Sequence, residues 1–420
     1  MMIGRLLRIV WLLFLLLLIV SCRAPSPDDE LSGRITLWHS WPEEDALVLE
    51  EALAQFEEIH PGVSIVPVTL PEDQILDEYH KSGNDGLGPA LLIGDDGWIG
   101  ELVNAGLIRP LIPDDNTTSL FDSRNRALTQ NQGQIFGVPL SLAPNALYYN
   151  KSVVTEPPET LDELLQDAEA GNQVAFVPRF EEAYWGIQAF GEGLFDDQGN
   201  FTLAESGFTE WLSWLNEAQL APGVILNVDD ASLLDLFTSG QVAYYVAGPE
   251  KQALIATGID EENPFEYGVV PLPKGPQGPA GPLLPAETIL LYAFTSSEQS
   301  RIADSLAAFL DNQQQSIRFM RELNRVPANP TVRVDQRIYP IVNGFARQAS
   351  TAVVIPNEIA SDLLVSTGDR AYASVLSGVL SPEEAVCEFG LEVAAFQDYR
   401  AADISLPQGC EIPAESLTIE

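Results

Sequence analysis

The chain has 420 residues and a formal net charge of −40, and that length exceeds one ordinary hydrophobic core, so two lobes or domains are expected. Hydrophobic residues form 46% of it, which marks a globular chain rather than a disordered one. The acidity argues against nucleic acid as a partner, because phosphate contacts need Lys and Arg, and the only lysines are Lys81, Lys151, Lys251 and Lys274. Its plain meaning is a well-solvated surface.

Residues 1–8 carry Arg5 and Arg8, residues 9–20 are an unbroken apolar run, and Ser21-Cys22 follows. That order reads as an export signal, and the run is shorter than the roughly 20 residues of a spanning helix. Ending on Cys22, it resembles a bacterial lipoprotein signal. Residues 1–21 would be removed and Cys22 lipidated, anchoring the chain at the outer face of the cell membrane, on the periplasmic or extracellular side. Residues 22–33 are polar and proline-bearing and read as a tether. In an exported chain the two remaining cysteines, Cys387 and Cys410, invite a disulfide. It would contribute about 3 kcal/mol in the chain-entropy account. With His39, His60 and His80 as the only histidines and no CxxC, no zinc site and no cofactor are expected.

Residues 34–38 predict a strand ending in His39-Ser40-Trp41. Ala46, Leu49, Leu53, Phe56 and Ile59 recur at helical spacing. Pro61-Gly62 stops that helix, and residues 63–68 read as the next strand. Residues 90–93 form a short apolar strand before Gly94-Asp-Asp-Gly97, and Trp98, Ile99, Leu102 and Val103 begin another helix. This alternation predicts a parallel or mixed sheet covered by helices. In 133–151, residues 135–138 and 146–149 read as strands. Pro139 and Pro144 make the part between a poor interior strand and a crossing segment from one lobe to the other.

Beyond the crossing, Thr160-Leu-Asp-Glu163 is a capping box. Residues 174–177, 242–246 and 267–272 read as strands, and Phe208, Trp211, Leu212 and Leu215 as one helix face. Residues 273–285, rich in Pro and Gly, form a loop between lobes. Residues 288–294 look like a second crossing strand, 297–310 and 314–323 like helices. Ser381-Pro-Glu-Glu384 opens a C-terminal helix.

Phe136-Gly-Val-Pro139 followed by Leu147-Tyr-Tyr-Asn-Lys151 resembles the first hinge of extracellular solute-binding proteins of the maltose-binding class (family 1). Ile35-Thr-Leu-Trp-His-Ser-Trp41, Phe56-Glu-Glu-Ile-His-Pro-Gly62, residues 98–111, Phe190-Gly-Glu-Gly-Leu-Phe-Asp-Asp-Gln-Gly199, Phe237-Thr-Ser-Gly-Gln-Val-Ala243 with Gly248-Pro249, and Val326-Pro-Ala-Asn329 resemble that family's segments in order. The resemblance implies an α/β, two-lobed periplasmic-binding-protein fold of type II, with mixed sheets flanked by helices and lobes joined by crossing strands. It implies a monomer that captures a solute, usually a sugar or oligosaccharide, and delivers it to the permease subunits of an ABC importer. The expected division is lobe 1 at 34–138 with 286–325, and lobe 2 at 139–285 with 326–420.

Ligands of open α/β sheets sit beyond the carboxyl ends of strands, and a sugar needs aromatic platforms with polar groups beside them. Trp41 is therefore expected to stack on a sugar ring, with His39 or Ser40 bonding hydroxyls. One of Asp95 and Asp96 would bind; the alternative is that Asp96, just before the helix of Trp98, is its N-cap. Tyr184 and Trp185 are the second-lobe aromatics, and Asn145 stands in the crossing segment. The family's usual carboxylate is missing at Ala143, and Glu250 stands where relatives often carry a Trp, which argues against maltose itself. Glu287 and Thr288 at the second crossing, and Asn357 with Glu358, are candidates from position. Besides a sugar-binding protein, the residues leave open a polyamine-binding protein and a secreted polysaccharide-acting enzyme. Against the enzyme, no nucleophile elbow, metal motif or phosphate loop is present.

Overall fold

The computed structural model describes residues 30–112, 121–196, 199–260, 262, 264–359, 361–396 and 404–410. The export signal, Cys22 and most of the tether lie outside the described residues.

Strand β1 (Ser32–His39) alternates buried Ile35 and Leu37 with half-exposed Thr36 and Trp38 and pairs in parallel with β2 (Gly62–Thr69) along its whole length. The helix between them, Glu43–Ile59, lays Leu49, Ala52, Leu53 and Phe56 into the core. Helix Glu72–Asn84 buries Ile75 and Tyr79 and leads to β3 (Leu91–Asp95). A small hairpin, β4 (Gln130–Asn131) and β5 (Gln134–Ile135), precedes β6 (Val138–Leu142) and β7 (Ala146–Asn150). Strands β8 (Val174–Phe176), β9 (Phe201–Thr202), β10 (Val224–Leu226), β11 (Tyr244–Ala247) and β12 (Tyr267–Val270) follow. The chain then returns through β13 (Ala286–Leu291), β14 (Val326–Pro327) and β15 (Ile404–Ser405).

Two mixed sheets result, a six-stranded one in the order β14-β6-β13-β3-β1-β2 and a five-stranded one in the order β10-β8-β11-β7-β12. Each has its own core. Helix Ser297–Leu310 packs Ile302, Leu306 and Leu310 against the first sheet with Phe56 and Ile289. The second core gathers Phe176, Phe180, Trp211, Tyr372 and Phe389. Fully burying one such side chain stabilises by about 2 kcal/mol.

The crossing segment departs from its expected form. Val138–Leu142 is a strand of the first sheet, antiparallel to β13, with Pro139 inside it. Two features tolerate the missing donor of Pro139. The register slips between Glu287 and Thr288 opposite it, and β14 reaches only Ser141 and Leu142 on the other side. Strands β6 and β14 thus lie in the first sheet, although boundaries at 138/139 and 325/326 put most of them in lobe 2.

The start signals read at Thr160 and Ser381 are realised, Thr160 as a complete capping box and Ser381 by exchanging hydrogen bonds with Glu384; Ser296 makes a further complete box that is not among those signals. Cys387 and Cys410 are disulfide-bonded, their Cα atoms 5.6 Å apart. The bond fixes the tail carrying β15, which pairs with β9, to helix Pro382–Phe396. Among the described residues no helix is long and apolar enough to cross a membrane.

Candidate functional site

Strands β1, β2 and β3 run in parallel and finish on one edge of the first sheet, at His39, Thr69 and Asp95. In the second sheet β8 and β11 are parallel and finish at Phe176 and Ala247, and antiparallel β7 starts beside them at Ala146. The loops beyond these ends carry Ser40, Asp95, Asn145, Glu181 and Glu250, the positions where open sheets receive ligands.

Asp95, Glu181 and Glu250 are each exposed, yet desolvation by surrounding protein is the main cause raising the pKa of each. A carboxyl group that is both solvent-reached and desolvated stands in a recess. Glu181 is pushed up to about 7 by burial, then by Glu182 and by Asp95. Asp95 ends a strand of the first sheet and Glu181 starts a helix after β8 of the second. Asp95 adds to the shift of Glu181, so carboxyl groups at strand ends of the two lobes face one another. Glu250, in the turn after β11, is raised by burial and by Asp230 and lowered by Lys251. Lys251 Nζ itself lies 2.5 Å from Asp230, which also accepts the Tyr245 hydroxyl.

In the neighbouring pair the cap is Asp95 and not Asp96. Asp95 Oδ1 accepts Gly97 N–H at 2.7 Å and caps the short turn before helix Ile99–Asn104, while its side chain stays open to the recess. Asp96 is buried and accepts the Ala286 N–H at 2.7 Å, tying the end of β3 to the start of β13. Burial, then the charge of Asp95, holds the Asp96 carboxyl well above its ordinary range.

The aromatic platforms expected from position are turned inward. Trp41 is 2% exposed. Its Nε1 donates to Glu287 Oε1 at 2.5 Å, the Arg325 guanidinium covers one face at 3.8 Å, and Phe319 meets it edge-on at 5.5 Å. Arg325 also bonds Glu287 and, at 3.2 Å, Asp45. Glu287 is thus committed to an internal ion pair, its pKa raised by burial against the pull of Arg325. His39 is buried, in phase with Ile35 and Leu37; its Nδ1 accepts Trp41 N–H at 3.1 Å. Burial and Arg325 lower its pKa to about 4, so the ring is neutral. Ser40 is half-buried at the strand end.

Tyr184 and Trp185 are fully buried. Tyr184 packs on Phe180 at 5.4 Å, and Trp185 on Phe176 at 5.7 Å and Trp211 at 4.6 Å. Thr288 is fully buried and donates to Ala286 O. None of these three is exposed to solvent. Asn145 Nδ2 donates to Glu182 O at 3.2 Å, within the second wall. Asn357 and Glu358 bond to main-chain groups of the first lobe.

Position-based reading misses Glu181 and Trp98. Glu181 follows the end of β8, the same signal that singles out Asp95. Trp98 is half-buried beside Asp95, its ring lying over Gly94, where a Cβ would meet it at 2.1 Å. The site offers carboxylate acceptors from both lobes, and among the described residues no cluster able to hold a metal ion is present.

Two α/β lobes, strands crossing between them, and a recess at the carboxyl ends of both sheets define the type II periplasmic-binding-protein fold. The chain belongs to the bacterial extracellular solute-binding protein family, whose profile matches residues 51–338. The galactooligosaccharide-binding protein of Bacillus subtilis (strain 168) is 24% identical over 389 residues, covering 87% of this chain and 89% of that protein. A solved cyclo/maltodextrin-binding protein complexed with maltotetraose superposes with a TM-score of 0.75 at 23% identity, covering 88% of this chain and 97% of that one. The maltose-binding periplasmic protein of Listeria monocytogenes in complex with maltose gives 0.75 at 18% identity, covering 87% and 99%.

Proposed function

We propose that this chain is the capture component of an ABC importer for a carbohydrate, anchored outside the cell membrane through Cys22 and acting as a monomer. The solute enters the recess between the lobe built on the six-stranded sheet and the lobe built on the five-stranded sheet. The lobes hinge at the crossing strands and present it to the permease. The observation that carries this reading is the placement of exposed but desolvated carboxyl groups on both walls, Asp95 on one and Glu181 and Glu250 on the other. Carboxylates accept paired hydroxyls, and Trp98 is the half-buried ring closest in sequence to them. The names of the relatives, galactooligosaccharide- and maltodextrin-binding proteins, support a sugar. The chain binds and does not turn its solute over.

The density of carboxylates gives a second reading, a cationic solute such as a polyamine. A thermal-shift screen of sugars, polyols and polyamines separates the two, since a ligand of the native state alone raises the melting temperature, by about 2.7 kcal/mol of stabilisation at a hundredfold excess over Kd. Oligosaccharides of glucose or galactose are expected to raise it and polyamines to leave it unchanged. A response to polyamines only would reverse the assignment.

A further inference from the structure

The recess holds more negative charge than the protein itself balances. Glu181 is pushed up by burial, then by Glu182, Asp95 and Asp369, against the pull of Arg179. Burial lowers the pKa of Lys251, while Asp230, Glu250 and Glu182 together raise it above its ordinary value. Carboxyl groups from the end of β3, the turn after β8 and the turn after β11 therefore share one field. The two cations beside them are already engaged. Arg179 Nη2 lies 2.7 Å from Glu182 Oε1, and Lys251 Nζ lies 2.5 Å from Asp230. Among the described residues no Lys, Arg or His forms an ion pair with Asp95, Glu181 or Glu250. The Glu250 carboxyl is seated by its own turn: a Cβ on Gly248 would stand 2.1 Å from Glu250 Oε2, so glycine there lets the side chain fold back beside the end of β11.

A neutral sugar is commonly held by aromatic platforms with a few polar groups beside them. Here Trp41, Tyr184 and Trp185 are buried, and half-buried Trp98 is the ring beside Asp95. Hydroxyls can bond these carboxylates but leave their charge uncompensated. An ammonium group donates hydrogen bonds and also cancels charge, and both gains grow where water is thinned.

We propose that the preferred solute is a carbohydrate carrying a protonated amine, an amino sugar or an oligosaccharide that contains one, and that Glu181 and Glu250 set the preference for it over the neutral sugar of the same skeleton. The inference rests on the reading of the interlobe recess as a sugar site, and it names the chemical class of that sugar. Neutral oligosaccharides still bind through their hydroxyls, more weakly.

Calorimetric titration near neutral pH, with sugar pairs that differ only in a hydroxyl or an amine, reads the preference. The pairs are galactose with galactosamine, glucose with glucosamine, and cellotriose with the trimer of glucosamine. The trimer of N-acetylglucosamine, whose nitrogen is uncharged, and spermidine, a cation without a ring, complete the set. In at least one pair the amine should bind about tenfold tighter or more, the worth of a hydrogen bond to a charged group, and acetylation should remove the gain. Glu181→Gln and Glu250→Gln should each lower that ratio, and the double variant should make the two sugars bind alike. Both residues are exposed, so the amides are expected to fold. Equal or weaker binding of the amine in every pair overturns the inference and leaves capture of a neutral sugar standing. Binding of spermidine alone removes the sugar reading, and this inference with it. A preference that survives in the double variant overturns the assignment to Glu181 and Glu250.

Discussion

His39 shows how one residue's direction decides its use. Loop position alone points to it as a ligand contact, but it shares the phase of Ile35 and Leu37, and a period of two turns it into the core. That information is present in the sequence. The burial of Tyr184 and Trp185 is not, because it depends on helix Ser361–Leu376, whose Tyr372 hydroxyl donates to Ala183 O. Trp41 is hidden for a similar reason, since its cover, Arg325, is distant in sequence. Glu181 carries the clearest pH signature at the recess. Its pKa rises from 4.5 to about 7, chiefly through burial, with Glu182, Asp95 and Asp369 adding and Arg179 opposing. Folding therefore favours its protonated form. That contribution is complete below about pH 4.5 and is lost as pH rises through about 7. Glu181→Gln removes the titration, so its melting temperature should gain on wild type as pH goes from 4 to 8. A gap that stays constant over this range would contradict the assignment.

Helices and strands with local signals are those the sequence shows best. The capping boxes at Thr160 and Ser296 need only neighbours within one turn. Strand β6 is harder, because what makes room for Pro139 is a register slip in β13, well over a hundred residues on. The three crossing strands β6, β13 and β14 are adjacent in the sheet, and Arg325 stands at their junction, bonding Glu287 and Asp45 and covering Trp41. Removing one partner of a buried pair leaves the other charge uncompensated. Arg325→Met should cost about 3 kcal/mol in urea unfolding, and adding Glu287→Gln should restore most of it, since the amide carries no charge. Equal losses in the single and double variants would show that Arg325 acts through packing alone.

At the scale of the molecule, length and element order announce two lobes, and the structure supplies what they cannot: which carboxylates look into the space between. Asp95 and Asp96 are neighbours of one chemical type, and only the fold makes one a wall of the recess and the other a tie to β13. The account's central claim is that one solute is held by both lobes at once. Calorimetric titration of wild type, Asp95→Ala and Glu181→Ala with malto- and galacto-oligosaccharides tests it most directly. One bound sugar per wild-type chain is predicted, with Kd raised roughly tenfold or more by either substitution, the loss of a charged hydrogen bond. Wild-type affinity in either variant would contradict capture between the lobes.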